Sequence, residues 1–169
     1  PIVLQWISPI VHRAGGRLDC HLMVEEPEKH FEAIAGAGGD SVTFHYEVAD
    51  DVRALAAQAR EHGLGVGLAF NPQTDPEQAA EVADPVDLVL CMSINPGYSG
   101  QAFMPEAFGR VERLRDQLPE GKHIQVDGGI GRDNVSRLRE AGADLFVAGT
   151  SIFGAADIVA AYRELTDLT

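Results

Sequence analysis

Two side chains able to grip a cation or move a proton stand at the ends of short apolar runs. His21 lies within CHLMV, and Asp127 follows HIQV immediately before Gly128-Gly129. A carboxylate in such a place is costly to bury unless it is paired, protonated or bound to a cation. An imidazole and a carboxylate contributed by strands far apart in sequence would make a mixed nitrogen and oxygen half-site for Zn²⁺ or a similar divalent ion. Each residue also has an ordinary explanation. A lone histidine among apolar neighbours is commonly a satisfied core residue, and Asp-Gly-Gly forms a respectable Asx turn. His45 and Glu47 in TFHYEV alternate onto one face. There one can orient the other, contact a substrate, or simply be solvated at a strand end.

Two glycine-rich segments, VDGGIGRDN and VAGTSIFG, each follow a strand pattern and precede a helical one. Glycine lets the backbone approach an anion closely, and the helix that follows presents free N–H groups. Thr150 and Ser151 can add hydroxyl donors or act as a plain N-cap. The run SINPGYSGQ after DLVLCM is longer than a turn needs. A loop that holds or covers something accounts for that length, and so does a loop that only turns.

The elements that must position these residues follow from periodicity. Strand patterns cover Leu18–Val24, Ser41–Tyr46, Gly65–Phe70, Leu88–Ser93, His123–Val126 and Leu145–Ala148, and several are apolar at nearly every position. Helical patterns cover Glu28–Ala37, Asp50–His62, Pro76–Val82, Pro105–Leu118, Arg132–Ala141 and Ala155–Leu165. Asp50 and Asp75 suit N-caps, Pro76 and Pro105 suit first helical positions, and Gly38, Gly63 and Gly142 suit C-terminal caps. Val3–Val11 is helix-compatible, but Pro9 interrupts it. Six βα repeats with short loops predict either a doubly wound sheet or a TIM-type barrel, and pattern alone leaves both open. In either fold the carboxyl ends of the strands face the site. There stand His21 with Met23, His45 with Glu47, Asn71, Met92 to Asn95, Asp127 and Gly149-Thr150. His12, His30, His62 and His123 have no convergent partners in this reading and are expected at the surface.

At 169 residues with 45% hydrophobic content, the chain is long enough for one domain with a real core. Its net charge of −13 argues against nucleic acid or an anionic membrane as partner. Cys20 and Cys91 sit in apolar runs and read as reduced core thiols of a cytosolic protein. No run approaches transmembrane length and no leader resembles a signal peptide. The start at Pro1 fits initiator removal or a trimmed fragment.

Taken in order, LDCHLMVEEPEKHFEAIAGAGGDSVTFHYE, LAFNPQT, LVLCMSINPGYSGQAF, QVDGGIGRDN and VAGTSIFG resemble the successive signatures of the ribulose-phosphate 3-epimerase family. The resemblance runs from about Arg17 to Leu165. It implies an α/β fold of the TIM (β/α)₈ type and a single ribulose-phosphate-binding domain over residues 1–169. It implies an isomerase of the pentose phosphate pathway that interconverts D-ribulose 5-phosphate and D-xylulose 5-phosphate at C3 through an enediolate. One divalent metal ion (Zn, Fe, Mn or Co) is implied as cofactor. His21 matches a metal ligand that also meets substrate, and Asp127 matches a ligand that is one of two proton carriers. Met23 and Met92 match residues lining the enediolate region. Ser93, Asn95, Pro96 and Gly97 match the loop over the substrate, which closes with Gly100 and Gln101. Gly128, Gly129, Gly149 and Thr150 match the phosphate cradle, where the family usually has Ser in place of Thr150. Tyr98 and Ser99 depart from the usual Phe-Gly.

The family's two leading βα units, with SxLSAD and HxDxMDGxFVPN strands, have no counterpart in PIVLQWISPIVHRAGG. Those strands hold the remaining His and Asp ligands and the second proton carrier. The expectation is therefore six of eight barrel strands, two of four metal ligands and one of two proton carriers. A cytoplasmic homo-oligomer acting on a small phosphorylated ketose completes it, with no nucleic acid and no membrane. A non-catalytic sugar-phosphate-binding remnant and an epimerase of a related ketohexose 6-phosphate are the alternatives.

Overall fold

Every β-rich run becomes a strand of one parallel sheet in the computed structural model, which describes residues 2–97 and 100–169. The departure at Tyr98 and Ser99 lies outside the described residues. The strands are β1 (Asp19–Leu22), β2 (Ser41–His45), β3 (Gly65–Phe70), β4 (Leu88–Met92), β5 (His123–Asp127) and β6 (Leu145–Val147). The helices are α1 (Ile2–Arg13), α2 (Glu28–Gly36), α3 (Val52–Glu61), α4 (Pro76–Glu81), α5 (Ala107–Gln117), α6 (Val135–Glu140), α7 (Thr150–Phe153) and α8 (Ile158–Asp167). Spatial order equals chain order, and each neighbouring pair is parallel. A doubly wound sheet must reverse its order at a switch point. This sheet never does, so the progression is that of a barrel. Among the described residues β1 and β6 have one strand neighbour each, and the six strands form a half-barrel open between them.

The two faces of the sheet differ in chemistry. Val42 and Phe44 of β2, Val66, Leu68 and Phe70 of β3, Val89 and Cys91 of β4, and Ile124 and Val126 of β5 join the main core with residues of α2 to α6. The alternate positions point to the barrel side, as the period of two demands. Ala69, Leu90 and Met92 form a small apolar cluster there with Ile94. Thr43 and His45 are the buried polar members of β2, while His21 and Asp127 occupy the same phase on β1 and β5. The imidazole and carboxylate side chains of the strands are thus confined to the inner face.

Helix boundaries depart from the sequence expectation in informative ways. Asp51, not Asp50, caps α3, accepting a hydrogen bond from the Ala54 N–H at 3.0 Å. Pro76 does open α4, whereas α5 begins at Ala107, two residues beyond Pro105. Gly38, Gly63 and Gly142 take positive φ at helix ends as expected. The helix α1 runs straight through Pro9, which lacks an N–H for the preceding turn. Its buried Ser8 and half-buried Leu4 hold it against the domain. His12 and His123 are exposed but not unpartnered, because each reaches a carboxylate at 2.9 Å, Asp40 and Asp144 respectively.

Gly67 marks where the inner face is tightest. A Cβ there would lie 2.3 Å from Thr43 Oγ1 and 2.7 Å from Leu88 Cδ1. Gly67→Ala should destabilise the fold by about 1–3 kcal/mol through overpacking, seen as a lower urea midpoint. An unchanged midpoint would mean that β2, β3 and β4 do not approach this closely.

Candidate active site

At the carboxyl end of the inner face, four ionisable side chains from three strand ends form one continuous chain. Asp127 Oδ2 lies 3.3 Å from His21 Nδ1, and His21 Nε2 lies 2.8 Å from His45 Nε2. His45 Nδ1 lies 3.3 Å from Glu47 Oε2. The two imidazoles also stack, with centroids 5.0 Å apart and planes 12° from parallel. Glu47 closes the far end, where its other oxygen accepts from the Asn71 N–H at 2.8 Å and from the Thr74 hydroxyl. His45 is buried whereas Glu47 is exposed, so the solvated reading of the TFHYEV strand end fails for the imidazole and holds for the carboxylate.

Charge on Glu47 sets the direction of this chain. Burial alone would raise its pKa, but the hydrogen bonds from His45, Thr74 and the Asn71 N–H outweigh burial and hold it at about 2. An ionised Glu47 only accepts, so His45 donates through Nδ1. His45 Nε2 then accepts from His21 Nε2–H, and His21 Nδ1 faces Asp127. A ring nitrogen and a carboxylate oxygen 3.3 Å apart call for a proton or a cation between them. Two ligands of one tetrahedral Zn²⁺ stand roughly 3.4 Å apart, given metal–ligand distances near 2.0–2.2 Å. The pair therefore suits a divalent ion in donor type and spacing. In number it is only half a site, because no group of three or more His, Cys, Asp or Glu gathers among the described residues.

Beside Asp127 opens a cleft of about 270 Å³. Met23, Met92 and Asp127 line one part of it, Pro96, Gly97 and Gly100 a second, and Gly128, Gly129, Gly149 and Thr150 a third. Most residues expected at the site therefore share one hollow. Gly128 has φ +126°, and a Cβ on it would come within 2.6 Å of the Ile94 side chain and 2.9 Å of the Ile94 N. Glycine here lets the end of β5 and the loop after β4 touch. A Cβ at Gly149 would meet nothing, which leaves that rim open.

Four expected substrate contacts are not among the residues that line this cleft: His21, which meets Asp127 and His45 instead, and Ser93, Asn95 and Gln101. Ser93 is fully buried, its hydroxyl lying 2.9 Å from the Asp127 carbonyl and 2.7 Å from that of Gly128. Its N–H also donates to the Asp127 carbonyl at 2.8 Å. Ser93 thus braces the backbone that carries Asp127 and does not line the cleft. The side-chain oxygen of exposed Asn95 accepts from Gln73 at 2.8 Å, and Gln101 donates to the Asn95 carbonyl at 2.7 Å. Those contacts shape the loop. Sequence reasoning missed the anchoring of Glu47 by Asn71 and Thr74, since nothing local links positions more than twenty residues apart.

Neither cysteine enters the chemistry. Burial pushes the Cys91 thiol up to about 11 despite the nearby Arg110 charge, and burial also raises Cys20, which is only partly buried. A larger cleft of about 540 Å³ is bordered by Glu47, Asp50, Asp51, Glu81 and Asp84, with Arg53 as a cation among them. Such a rim repels anions.

Residues 1–153 match a family model described as the ribulose-phosphate 3 epimerase family. The chain belongs to the ribulose-phosphate 3-epimerase family. It is 43% identical over 147 residues to ribulose-phosphate 3-epimerase of Candida glabrata, covering 87% of this chain and 59% of that protein. The Eremothecium gossypii enzyme of the same name is 40% identical over 165 residues, covering 93% and 69%. A rice relative named as the cytoplasmic isoform is 41% identical over 154 residues, covering 87% and 67%. This member of the family thus spans about 59 to 69% of the length of these relatives. Among solved structures, orotidine 5'-phosphate decarboxylase from Pyrococcus horikoshii superposes with a TM-score of 0.74 at 21% identity, covering 98% of this chain and 79% of that one. A 3-hexulose-6-phosphate synthase gives 0.73 at 22%, covering 98% and 80%. These likenesses support the barrel-type fold. No helix among the described residues is long and apolar enough to cross a membrane.

The Glu47 anchor has a pH signature. Its folded pKa of about 2 lies below the unfolded value near 4.5. The ionised carboxylate therefore stabilises the fold above about pH 4.5, and this contribution is lost as pH falls toward 2. After discounting for partial exposure, about 1–2 kcal/mol is at stake. Glu47→Gln should lower the urea midpoint at pH 7 and converge with the parent near pH 2–3. Parallel curves at both pH values would contradict the anchoring.

Proposed function

We propose that this chain carries the proton-transfer and phosphate-holding parts of a C3 epimerisation between D-ribulose 5-phosphate and D-xylulose 5-phosphate. The observation that carries the proposal is Asp127. Its carboxylate is half-buried, faces the His21 imidazole and borders a glycine-rimmed cleft. A carboxylate so placed removes the C3 proton of a ketose and leaves an enediolate. The Ser93 braces keep its backbone still during that transfer. Met23 and Met92 give the reacting carbons an apolar wall that keeps water out. Gly128, Gly129, Gly149 and Thr150 offer backbone approach and a hydroxyl to the phosphate, which a chain of net charge −13 must bind through local donors. The loop bearing Pro96, Gly97 and Gly100 covers the sugar.

A divalent ion held by His21 Nδ1 and Asp127 Oδ2 supplies polarisation of the C2 carbonyl when bound. His45 and Glu47 keep His21 in the tautomer that presents Nδ1 to it. The family's name and the position of the HLMV and VDGG motifs support this reading. A cytoplasmic setting fits the two free thiols and the name of the rice relative. Self-association is supported by exposed Trp6, Ile10, Val159 and Tyr162 on α1 and α8.

Asp127 is the sole carboxylate among the described residues that line the cleft. Inversion needs an acid on the opposite face of the enediolate, whereas exchange of the C3 proton needs only one. A second reading therefore has a specific basis: binding and exchange without inversion. With Zn²⁺ in D₂O, the chain should place deuterium at C3 of ribulose 5-phosphate, followed by NMR, and Asp127→Asn should reduce the rate by at least about 100-fold. Formation of xylulose 5-phosphate, assayed in parallel, separates epimerisation from exchange. Absence of both, together with no calorimetric binding of the pentose phosphate, would overturn the proposal.

A further inference from the structure

Arg110 is a buried cation that the chemistry described so far does not use. It lies on α5 with 7% exposure, and no carboxylate pairs with it among the described residues. Its guanidinium is spent on backbone carbonyls. Nη1 donates to the Met92 carbonyl at 2.7 Å, and Nη2 to the Asn71 carbonyl at 2.6 Å, with Thr74 O at 3.4 Å. The guanidinium carbon sits 4.8 Å from the centroid of the Phe70 ring. A charge buried without an acid is expensive, and an apolar side chain of similar volume often serves a core at least as well. Its bonds point to a role beyond filling space.

Those bonds reach the two backbone segments that support the site from opposite sides. Met92 leads directly into Ser93, whose N–H and hydroxyl grip the carbonyls of Asp127 and Gly128. Asn71 and Thr74 belong to the loop that anchors Glu47, which in turn holds His45 against His21. One planar fork thus ties together the seat of the carboxylate and the seat of the imidazole pair. We infer that Arg110 is a positioning residue that sets, from behind the sheet, where Asp127 stands relative to His21 and His45. An ammonium can bridge carbonyls, as Lys122 does for Ala83, Asp84 and Val86, but it lacks the rigid planar fork, so lysine should hold the two segments less precisely.

The test compares Arg110→Lys and Arg110→Met with the parent. Side-chain ¹⁵N–¹H spectra of the histidines are recorded alongside melting curves and the C3 exchange or epimerisation assay. The expected result is a folded variant in which the His21 and His45 ring resonances shift or broaden. In it kcat falls about 10–100-fold, the range seen when outer-shell supports are lost, while KM changes far less. If Arg110→Met does not fold, Arg110→Lys, which retains the charge, carries the comparison. A folded variant with parental histidine resonances and parental kcat makes Arg110 a fold residue only and overturns the inference. The kinetic arm rests on the proposed function and the spectroscopic arm does not. A parent without turnover would therefore count against that function, while the resonances still decide Arg110.

Discussion

The meeting of the His21 imidazole with the Asp127 carboxylate, across a half-barrel and from strands more than one hundred residues apart, is the contact on which everything else turns. A ring nitrogen and a carboxylate oxygen at this distance need a proton or a cation between them. Their approach to 3.3 Å is enforced by supports on both sides: Ser93 holds the Asp127 backbone, and the Glu47–His45 pair holds His21. Each support is itself bonded to backbone. The arrangement is held in place by the fold itself.

The architecture makes such preorganisation affordable. The outer face of the sheet is almost wholly apolar and packs on the helices, so stability comes from that side. The inner face then has freedom to carry Thr43, His45, His21 and Asp127. Parallel strands in sequential order bring all their carboxyl ends to one rim, where loops can be long without disturbing the core. Polar groups buried on the inner face satisfy one another, with Asn71 Oδ1 and Gln125 Oε1 the buried side-chain acceptors left over among the described residues. Departures from a simple apolar interior concentrate at the site, which is where local rules are expected to yield to function.

Legibility in the sequence was uneven for physical reasons. The six strands emerged because runs such as LVLCM and GVGLAF are apolar at successive positions, a pattern that only a covered parallel sheet sustains. Helix starts were read less well: Asp50 and Asp51 are equally good cap residues by type, and only backbone geometry selected Asp51. Pro9 looked like a break because its local cost is real, yet packing of α1 on the domain outweighed it. The family likeness implies a substrate contact for Ser93, and the loop motif says nothing of its backbone partners. Its burial against Asp127 and Gly128 depends on a neighbour thirty-four residues away.

By itself the sequence determined the α/β class, the six-strand repeat, the clustering of His21, Asp127 and the glycine segments at strand ends, and the family likeness. These follow from residue type and short-range period, which act along the chain. Residue pattern left barrel and doubly wound sheet open and the family likeness implied the barrel; the tertiary structure showed it in the strand order, which is a matter of long-range pairing. It alone joined Glu47 to His45 to His21, and gave Arg110 its two backbone partners. Such contacts arise when distant segments are packed side by side, and no local pattern encodes their distance or direction.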